Sequence, residues 1–558
     1  MNIEQKEALR QKLAFLYPDN TQEAIDKVFG CIERWSGKID AYQDGLSEKD
    51  SILITYADTL QAPGEAPLQT LRHFVDAYLK DKFSGVHILP AYPYTADDGF
   101  SVSDYMAINP ELGTWRDIDS LKEHVDLMLD AVINHCSKSH AWFQGYLQGN
   151  ERYRDYFIER VPGQDYSMVT RPRALPLFTV FQTAEGEKEV WTTFSDDQID
   201  LNYKSIDLMV DILEVLLFYA RRGARLIRLD AVCYIWKELG TTCAHLPETH
   251  ALVQIIRLMM DCCAKGRVLV SETNVPHLDN IGYLGDGTNE AHMVYQFPLP
   301  PLVGFSILSG NAAKLSKWAA GLEPLPPGAA YFNFLSSHDG IGLRPVEGIL
   351  EPDEVQLLLD KCREHGGEVN YKNNADGTVS PYELNITYLN LLSSEKEDPG
   401  VSAARLMAAS CILLSMAGVP GVYIHSLLGS QNDVEGMRQS GINRRINREK
   451  LDYATLCGEL QNIPLRKNVF ERYLRLLELR REHPAFSPMA AQRVLFLDER
   501  LFCLERKAGD ETVYILVNVS NEAVVLKNAP SGVDLLSGGS AGGTLEIKPY
   551  GYHWICSK

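Results

Sequence analysis

Long apolar runs, paired cysteines and an excess of positive charge are what this sequence lacks. No uninterrupted apolar stretch reaches the ~20 residues that a membrane-spanning helix needs. The opening MNIEQKEALRQKL has no apolar segment of the kind found in secretion signals, so a cytoplasmic protein with no membrane attachment is expected. The eleven cysteines are odd in number and contain no Cys-x-x-Cys, and most, like Cys411 and Cys503, stand in apolar surroundings. Buried free thiols in a reducing compartment are expected, and a metal site is not. Acidic residues outnumber basic ones and give a formal net charge of −20, which disfavours nucleic acid and anionic membranes as partners. An anionic small substrate stays admissible, because a local basic pocket can override the overall field. Repeats and low-complexity segments are also missing.

What is present is an ordinary globular composition, 45% hydrophobic and 23% charged, over 558 residues. That length suits one large domain with smaller additions. Residues 1–48 read as an amphipathic helical extension, with Leu13, Phe15, Leu16, Ile25, Val28, Phe29 and Ile32 at helical spacing. Its stripe is expected to serve packing or a contact between copies, which leaves a homo-oligomer open.

Eight apolar runs then follow: Ser51–Tyr56, Gly85–Tyr92, Leu127–Asn134, Ala224–Val232, Val268–Glu272, Ala291–Phe297, Ala329–Leu335 and Gly418–His425. Helical segments are expected between them at Leu121–Val125, Leu208–Ala220 and His250–Cys263. Eight strands alternating with helices predict an α/β fold, a (β/α)8 TIM barrel, over residues 49–487. Two gaps exceed a simple connection: 136–204 reads as an inserted subdomain and 341–400 as a long loop region. The latter holds a helix at Glu354–His365 and a Gly/Asn/Asp loop at Tyr371–Thr378. From 488 to 558 short alternating strands predict a small antiparallel β domain, with strands at Val494–Leu497, Leu501–Arg506, Thr512–Val519 and Ala523–Leu526.

Polar residues stand where buried strands should end: Asp130-Ala-Val-Ile-Asn134-His135, Arg228-Leu-Asp230, Ser271-Glu272 and Ser337-His338-Asp339. Singly, an Asp at a strand end is a cap as often as a reagent. Four such segments in order on alternating units point to a catalytic centre at the carboxyl ends of barrel strands. Retaining glycosyl transfer needs a nucleophilic carboxylate and an acid/base carboxyl roughly 5–5.5 Å apart. Asp230 and Glu272 end neighbouring strands and can supply the pair. Arg228, two residues before Asp230 and on the same face, is expected to keep Asp230 ionised by lowering its pKa. Glu272, less compensated, is then the acid/base. Asp339 and His338 are expected to bind sugar hydroxyls and stabilise the transition state. Asp130 and Asn134 are read as structural.

These four segments resemble the conserved regions of the α-amylase superfamily, glycoside hydrolase family thirteen, from about residue 50 to the end. The resemblance implies Asp230 as nucleophile, Glu272 as acid/base and Asp339 as transition-state stabiliser, with His135, Arg228 and His338 lining a glucose subsite. Further segments resemble the sucrose phosphorylase branch: Ala96-Asp97-Asp98-Gly99-Phe100, Lys237-Glu238-Leu-Gly240-Thr-Thr-Cys243, Leu299-Pro-Pro-Leu302, His338-Asp-Gly-Ile-Gly342 and Gly429-Ser-Gln-Asn432-Asp433. By that resemblance Asp97 binds hydroxyls, Phe100 stacks on the sugar, and Arg444 partners a glucose-binding Asp. Arg171-Pro-Arg173 is similar to a segment that handles phosphate, and Tyr382 to a loop tyrosine near phosphate and acceptor. In amylases a residue matching Asn134 can touch calcium; no clear calcium site is read here.

The implied reaction is reversible phosphorolysis of an α-glucoside to α-glucose 1-phosphate, with inorganic phosphate as co-substrate and no cofactor. The regions around Thr170, Trp191 and Lys372, with the helical N-terminal extension, look most like glucosylglycerate phosphorylases, which act on 2-O-α-glucosylglycerate. Arg171, Arg173 and Lys372 are the cations expected near a glycerate carboxylate, although Lys372 read alone is a solvated loop residue. Sucrose, sucrose 6-phosphate and glucosylglycerol remain rival substrates. A hydrolase or transglucosidase, and a catalytically silent binding barrel, remain rival classes.

Overall fold

The computed structural model describes all residues except 44, 174, 374–377 and 558. Eight parallel strands close into a barrel in chain order: β1 Ile52–Thr55, β2 Gly85–Ile88, β3 Asp126–Ala131, β4 Ala224–Leu229, β5 Val268–Ser271, β6 Met293–Tyr295, β7 Ala330–Asn333 and β8 Val419–Tyr423. Seven fall within the expected apolar runs, and β3 starts one residue before its run, at Asp126. Strands covered by helices outside and filled by side chains inside are buried on both faces, so they read as continuous apolar stretches. β1 pairs with β8 through Ile52↔Gly421, which closes the ring. A Cβ on Gly421 would come within 2.6 Å of the Phe332 ring, so only glycine lets the strands pack at this point.

The helices between the strands are amphipathic or apolar according to their depth. Ile206–Arg221 starts at an N-cap in which the Ser205 hydroxyl accepts from the Leu208 N–H, and Pro247–Cys263 starts with proline in its first turn. The helix expected at Leu121–Val125 lies earlier, at Trp115–Leu121, where Thr114 and Asp117 form a reciprocal cap that fixes the start.

Two helices, α1 (Ile3–Leu16) and α2 (Thr21–Trp35), form the N-terminal extension; the described residues of 36–48 continue without helix. Leu9, Leu13 and Leu16 face inward at i, i+4 and i+7, whereas Phe15 lies two residues round from Leu13 and is 51% exposed, contrary to its expected place in the stripe. The pair packs on the barrel's own helices. The Tyr17 hydroxyl donates to the Tyr203 carbonyl at 2.7 Å, and Arg34 bonds Glu214 at 2.6 Å.

The segment after β3 carries a short helix, Ala141–Leu147, and a hairpin of Phe178–Thr183 with Gly186–Trp191. The segment after β7 carries a helix, Pro352–Glu364, and a second hairpin of Glu368–Asn373 with Val379–Asn385. The expected loop at 371–378 is therefore partly strand, and its residues 374–377 lie outside the described ones.

The C-terminal sheet has six antiparallel strands, with Ala491–Val494, Leu501–Ala508, Glu511–Asn518 and Tyr552–Ser557 side by side, then Val524–Asp534 and Ser540–Ile547. The first sits three residues earlier than expected, because Val494 pairs with Leu504 and the chain then turns. The sheet is fastened to the barrel by Arg506, and the barrel helix Pro464–Glu482 adds Arg480 nearby; both arginines are buried and bond only carbonyls. Arg506 donates to the Ser415 and Ser487 carbonyls at 2.7 Å each. Arg480 donates to Leu414, Asp50, Gly418 and Phe486 carbonyls at 2.8–3.2 Å, and also to Glu48. Leu414 and Ser415 end the helix Pro399–Ser415, whose last carbonyls have no helical partner and carry partial negative charge. Arg480→Met is expected to lower stability by on the order of 3 kcal/mol, because several buried acceptors lose their donor at once. Thermal unfolding measures this, and a change within error would show that those carbonyls do not depend on Arg480.

Candidate active site

The carboxyl ends of the strands open into one cavity lined by Asp97, Phe100, His135, Arg173, Arg228, Asp230, Glu272, His338, Asp339, Tyr382 and Arg444. Eleven of the thirteen site residues expected from sequence are thus brought together.

The barrel register sets the geometry. Arg228 on β4 lies beside Asp130 on β3 and Val270 on β5. Its guanidinium is buried and donates through Nη1 to Asp130, and to Asp230 Oδ1 at 2.8 Å, while Nη2 lies 3.8 Å from Glu272 Oε2. Asp130 also takes the His87 Nε2 at 2.7 Å. Burial would raise the Asp130 carboxyl, but Arg228 and His87 outweigh it and hold it at about 2. Asp130 therefore fixes Arg228 rather than bracing its own loop.

Past β4 the chain turns sharply. Ala231 is left-handed (φ 49°), which aims its N–H at Glu272 Oε2 at 3.1 Å. Burial raises both Asp230 and Glu272, and the neighbouring carboxylates Asp130 and Asp339 add to this while Arg228 pulls both down. The expectation that Arg228 would lower Asp230 below the ordinary carboxylate range is corrected: desolvation is the larger effect. Together the two carboxyls retain a proton near neutrality. Arg228 lies 2.8 Å from Asp230 and 3.8 Å from Glu272, so its contact favours the charged form of Asp230 more than that of Glu272.

A second cluster forms the opposite wall. Asp97, Asp98 and Gly99 are consecutive left-handed residues (φ 52°, 49° and 113°), and a Cβ at Gly99 would meet the Pro90 carbonyl at 2.5 Å. This turn points Asp97 into the cavity, where Arg173 lies 3.2 Å away. Burial opposes ionisation of Asp97, but Arg173, Arg444 and Arg448 outweigh it and bring its pKa to about 2. Asp98 points the other way, bonding Arg448 at 2.7 Å and also Arg445. The Phe100 ring stacks on His338 at 4.8 Å, with 2° between the planes. Burial lowers His338 to about 3 and His135 to about 4, so both imidazoles are neutral at pH 7. His135 Nε2 faces the Phe100 carbonyl at 2.9 Å and Gln198 at 3.1 Å.

Asp339 receives Arg444 Nη1 at 2.5 Å; burial opposes its charge, yet Arg444 and its cationic neighbours drive its pKa far down. The remaining Arg444 nitrogens grip Glu383 at 3.0 and 2.6 Å. Glu383 follows Tyr382 on the hairpin, so this arginine joins the hairpin to Asp339. Burial and the Glu383 charge push the Tyr382 phenol up to about 12, and it stays protonated.

Two expected residues are not on the wall. Lys372 is drawn to Glu347 at 3.5 Å, and the wall near residue 171 is formed by Pro172 and Arg173. Arg171 nevertheless has a buried Nε with no hydrogen-bond partner. Sequence reasoning gave no role to Tyr234, Asn274, Phe194, Gln198 or Glu383, all of which line the cavity. Asn274 stands two residues after Glu272, and that adjacency was the available signal. Beside the cavity, Lys237 Nζ sits 2.9 Å from Asn134 Oδ1 and 2.7 Å from Asp200 Oδ2. An ammonium thus holds the place between oxygen ligands that a cation would take.

The arrangement has a pair of carboxyls that retains a proton near neutrality, a flanking acid–arginine pair and an aromatic wall. That set can displace a leaving group at an acetal carbon and bind the hydroxyls of its sugar ring.

Comparison with known proteins agrees with this chemistry. Residues 76–323 match the α-amylase catalytic domain. The chain is 48% identical over 557 residues to a glucosylglycerate phosphorylase from Allomeiothermus silvanus, covering 99% of each protein. It is 44% identical over 530 residues to one from Spirochaeta thermophila, covering 93% of this chain and 90% of that protein. The crystal structure of sucrose 6F-phosphate phosphorylase from Thermoanaerobacter thermosaccharolyticum superposes with a TM-score of 0.74 at 26% identity, covering 91% of this chain and 98% of the other. Barrel, site and full-length similarity agree: the chain belongs to the glucosylglycerate phosphorylase family, in the sucrose phosphorylase branch of the α-amylase superfamily.

Proposed function

We propose that the protein is a retaining glycoside phosphorylase that interconverts 2-O-α-glucosylglycerate and phosphate with α-glucose 1-phosphate and D-glycerate. The single observation that carries the reading is the Asp230–Arg228–Glu272 arrangement in a chain related over its whole length to phosphorylases of that substrate. Asp230 attacks the anomeric carbon, and Glu272 gives its proton to the departing glycerate oxygen. Phosphate then displaces Asp230 from the glucosyl ester. Being already anionic, phosphate needs little base catalysis but does need cationic and hydroxyl partners, which Arg173, Arg171 and Tyr382 supply. Asp339, charged and held by Arg444, stabilises the oxocarbenium-like transition state. Asp97, His135, His338 and Phe100 bind the glucosyl unit, Phe100 by its apolar face.

No cofactor takes part by this reading. None of the helices described is long and apolar enough to cross a membrane, and all eleven cysteines are free thiols, which suits a cytoplasmic enzyme.

Phosphate release from α-glucose 1-phosphate, measured with D-glycerate, glycerol, fructose, fructose 6-phosphate or water alone, tests the acceptor. Fast release is expected with D-glycerate only; faster release with fructose or its phosphate would reject glycerate. Asp230→Asn is expected to lower kcat by about 10⁴-fold or more, since no ester can form. Near-normal turnover in a folded variant would remove Asp230 as nucleophile.

The raised pKa of Glu272 fixes the sign of the pH dependence. A raised carboxyl pKa keeps the acid protonated at neutral pH and loses the proton as pH rises. Phosphorolysis should therefore decline on the alkaline side, and Glu272→Gln should abolish that limb along with most of the rate. A wild-type profile that climbs steadily to pH 9 would contradict the assignment.

A further inference from the structure

The arginines around the cavity fall into two kinds. Arg173 faces Asp97, Arg228 serves Asp130 and Asp230, Arg444 joins Asp339 to Glu383, and Arg445 and Arg448 share Asp98. The side chains of Arg171 and Arg344, by contrast, make no ion pair or hydrogen bond among the described residues. Both are only partly exposed. A half-buried guanidinium with no counter-charge has lost part of its hydration without recompense, a cost that an anionic ligand can remove.

The position of Arg344 tells which ligand. It opens the turn Arg344–Val346, two residues after Gly342, and the cavity wall includes Gly340, Ile341 and Gly342. The intervening Leu343 N–H donates to the Tyr382 carbonyl at 3.0 Å, so the turn is anchored to the hairpin. A Cβ on Gly342 would lie 2.9 Å from the Asn274 amide, which puts this stretch against the wall segment that follows Glu272. The Arg344 charge also acts on Cys233 and Tyr234, where burial raises the thiol and the phenol and the cation opposes it. Cys233, Tyr234 and Asn274 form the wall beside Glu272. The sugar-binding group of Asp97, Phe100, His338 and Arg444 forms another part of it. Arg344 itself stands two residues beyond the cavity wall, on the side formed by Cys233, Tyr234 and Asn274.

We propose that Arg344 is the specificity residue that receives the carboxylate of glycerate, leaving Arg171 and Arg173 to phosphate; this rests on the glucosylglycerate reading above. A carboxylate matches the two parallel N–H groups of a guanidinium, and D-glycerate carries its carboxylate on the carbon next to the glucosylated oxygen. Two uncompensated arginines then correspond to two anionic reactants.

Steady-state rates of wild type, Arg344→Ala and Arg344→Lys, with D-glycerate and with glycerol as acceptors, test it. Phosphorolysis with phosphate varied completes the comparison, and circular dichroism and thermal unfolding check folding. The alanine variant should lower kcat/KM for D-glycerate by about 10²-fold, mostly through KM, and shrink the preference for D-glycerate over glycerol by a similar factor. Lysine should recover part of that preference. D-Glycerate kinetics within threefold of wild type in the alanine variant would overturn the proposal and leave the function standing. A raised KM for phosphate with an unchanged KM for D-glycerate would overturn it too, by giving Arg344 to phosphate. A wild-type enzyme indifferent to D-glycerate would sink the functional reading itself, and the proposal with it.

Discussion

A single buried cation, Arg228, is the constraint around which the catalytic end of the barrel is arranged. It is an ion inside a closed ring of apolar strands, where an unpaired charge would be prohibitive. It is tolerated because β3 and β4 are in a register that sets Asp130 beside it and because Asp230 follows two residues later on the same face. His87 on β2 completes the arrangement by taking the other Asp130 oxygen. A shift of one residue between β3 and β4 would turn Asp130 away and leave the guanidinium unpaired. The same charge distinguishes the two carboxyls, because it approaches Asp230 more closely than Glu272. Strand register and acid–base chemistry are thus two results of one contact.

The eight strands were legible because parallel strands buried on both faces must be largely apolar, and Val268–Val270 can hardly be read otherwise. The three carboxylates were legible because a charge at the end of such a run demands a reason. What the linear order hides is lateral. Nothing near Arg228 in sequence announces Asp130 or His87, which come from other strands. The direction of the Asp230 shift was misjudged because desolvation depends on how the cavity closes, whereas the neighbouring arginine is visible in the sequence. The hairpin at 368–385 was hidden by its polar composition, since its strands lie over the barrel mouth and need no apolar repeat. Phe15 was misplaced because apolar spacing alone does not tell which side of α1 faces the protein.

The additions to the barrel use a different economy of charge. The catalytic end matches arginine with carboxylate. Away from the cavity, Arg480 on a barrel helix and Arg506 on the C-terminal sheet are matched with carbonyls, chiefly those that end a helix or enter β1 and β8. Such arginines stay charged without neutralising anything, and burial lowers their pKa only to about 10 and about 9. Arg480, on a barrel helix, fixes the chain entering β1, the strand that closes the barrel against β8, and Arg506 ties the C-terminal sheet to the end of the helix that precedes β8.

Arg444 has a further consequence. Its guanidinium is a flat, resonance-stiffened ion, and its nitrogens meet Asp339 on one side and Glu383 on the other. The gap between the end of the seventh barrel strand and the tyrosine-bearing hairpin is therefore set by covalent bond lengths, as a spacer of machined width sets the opening of a vice. Packed aliphatic side chains in the same place would give and let the jaws drift. A lysine, whose ammonium is a single point of contact, would hold either jaw but gauge neither.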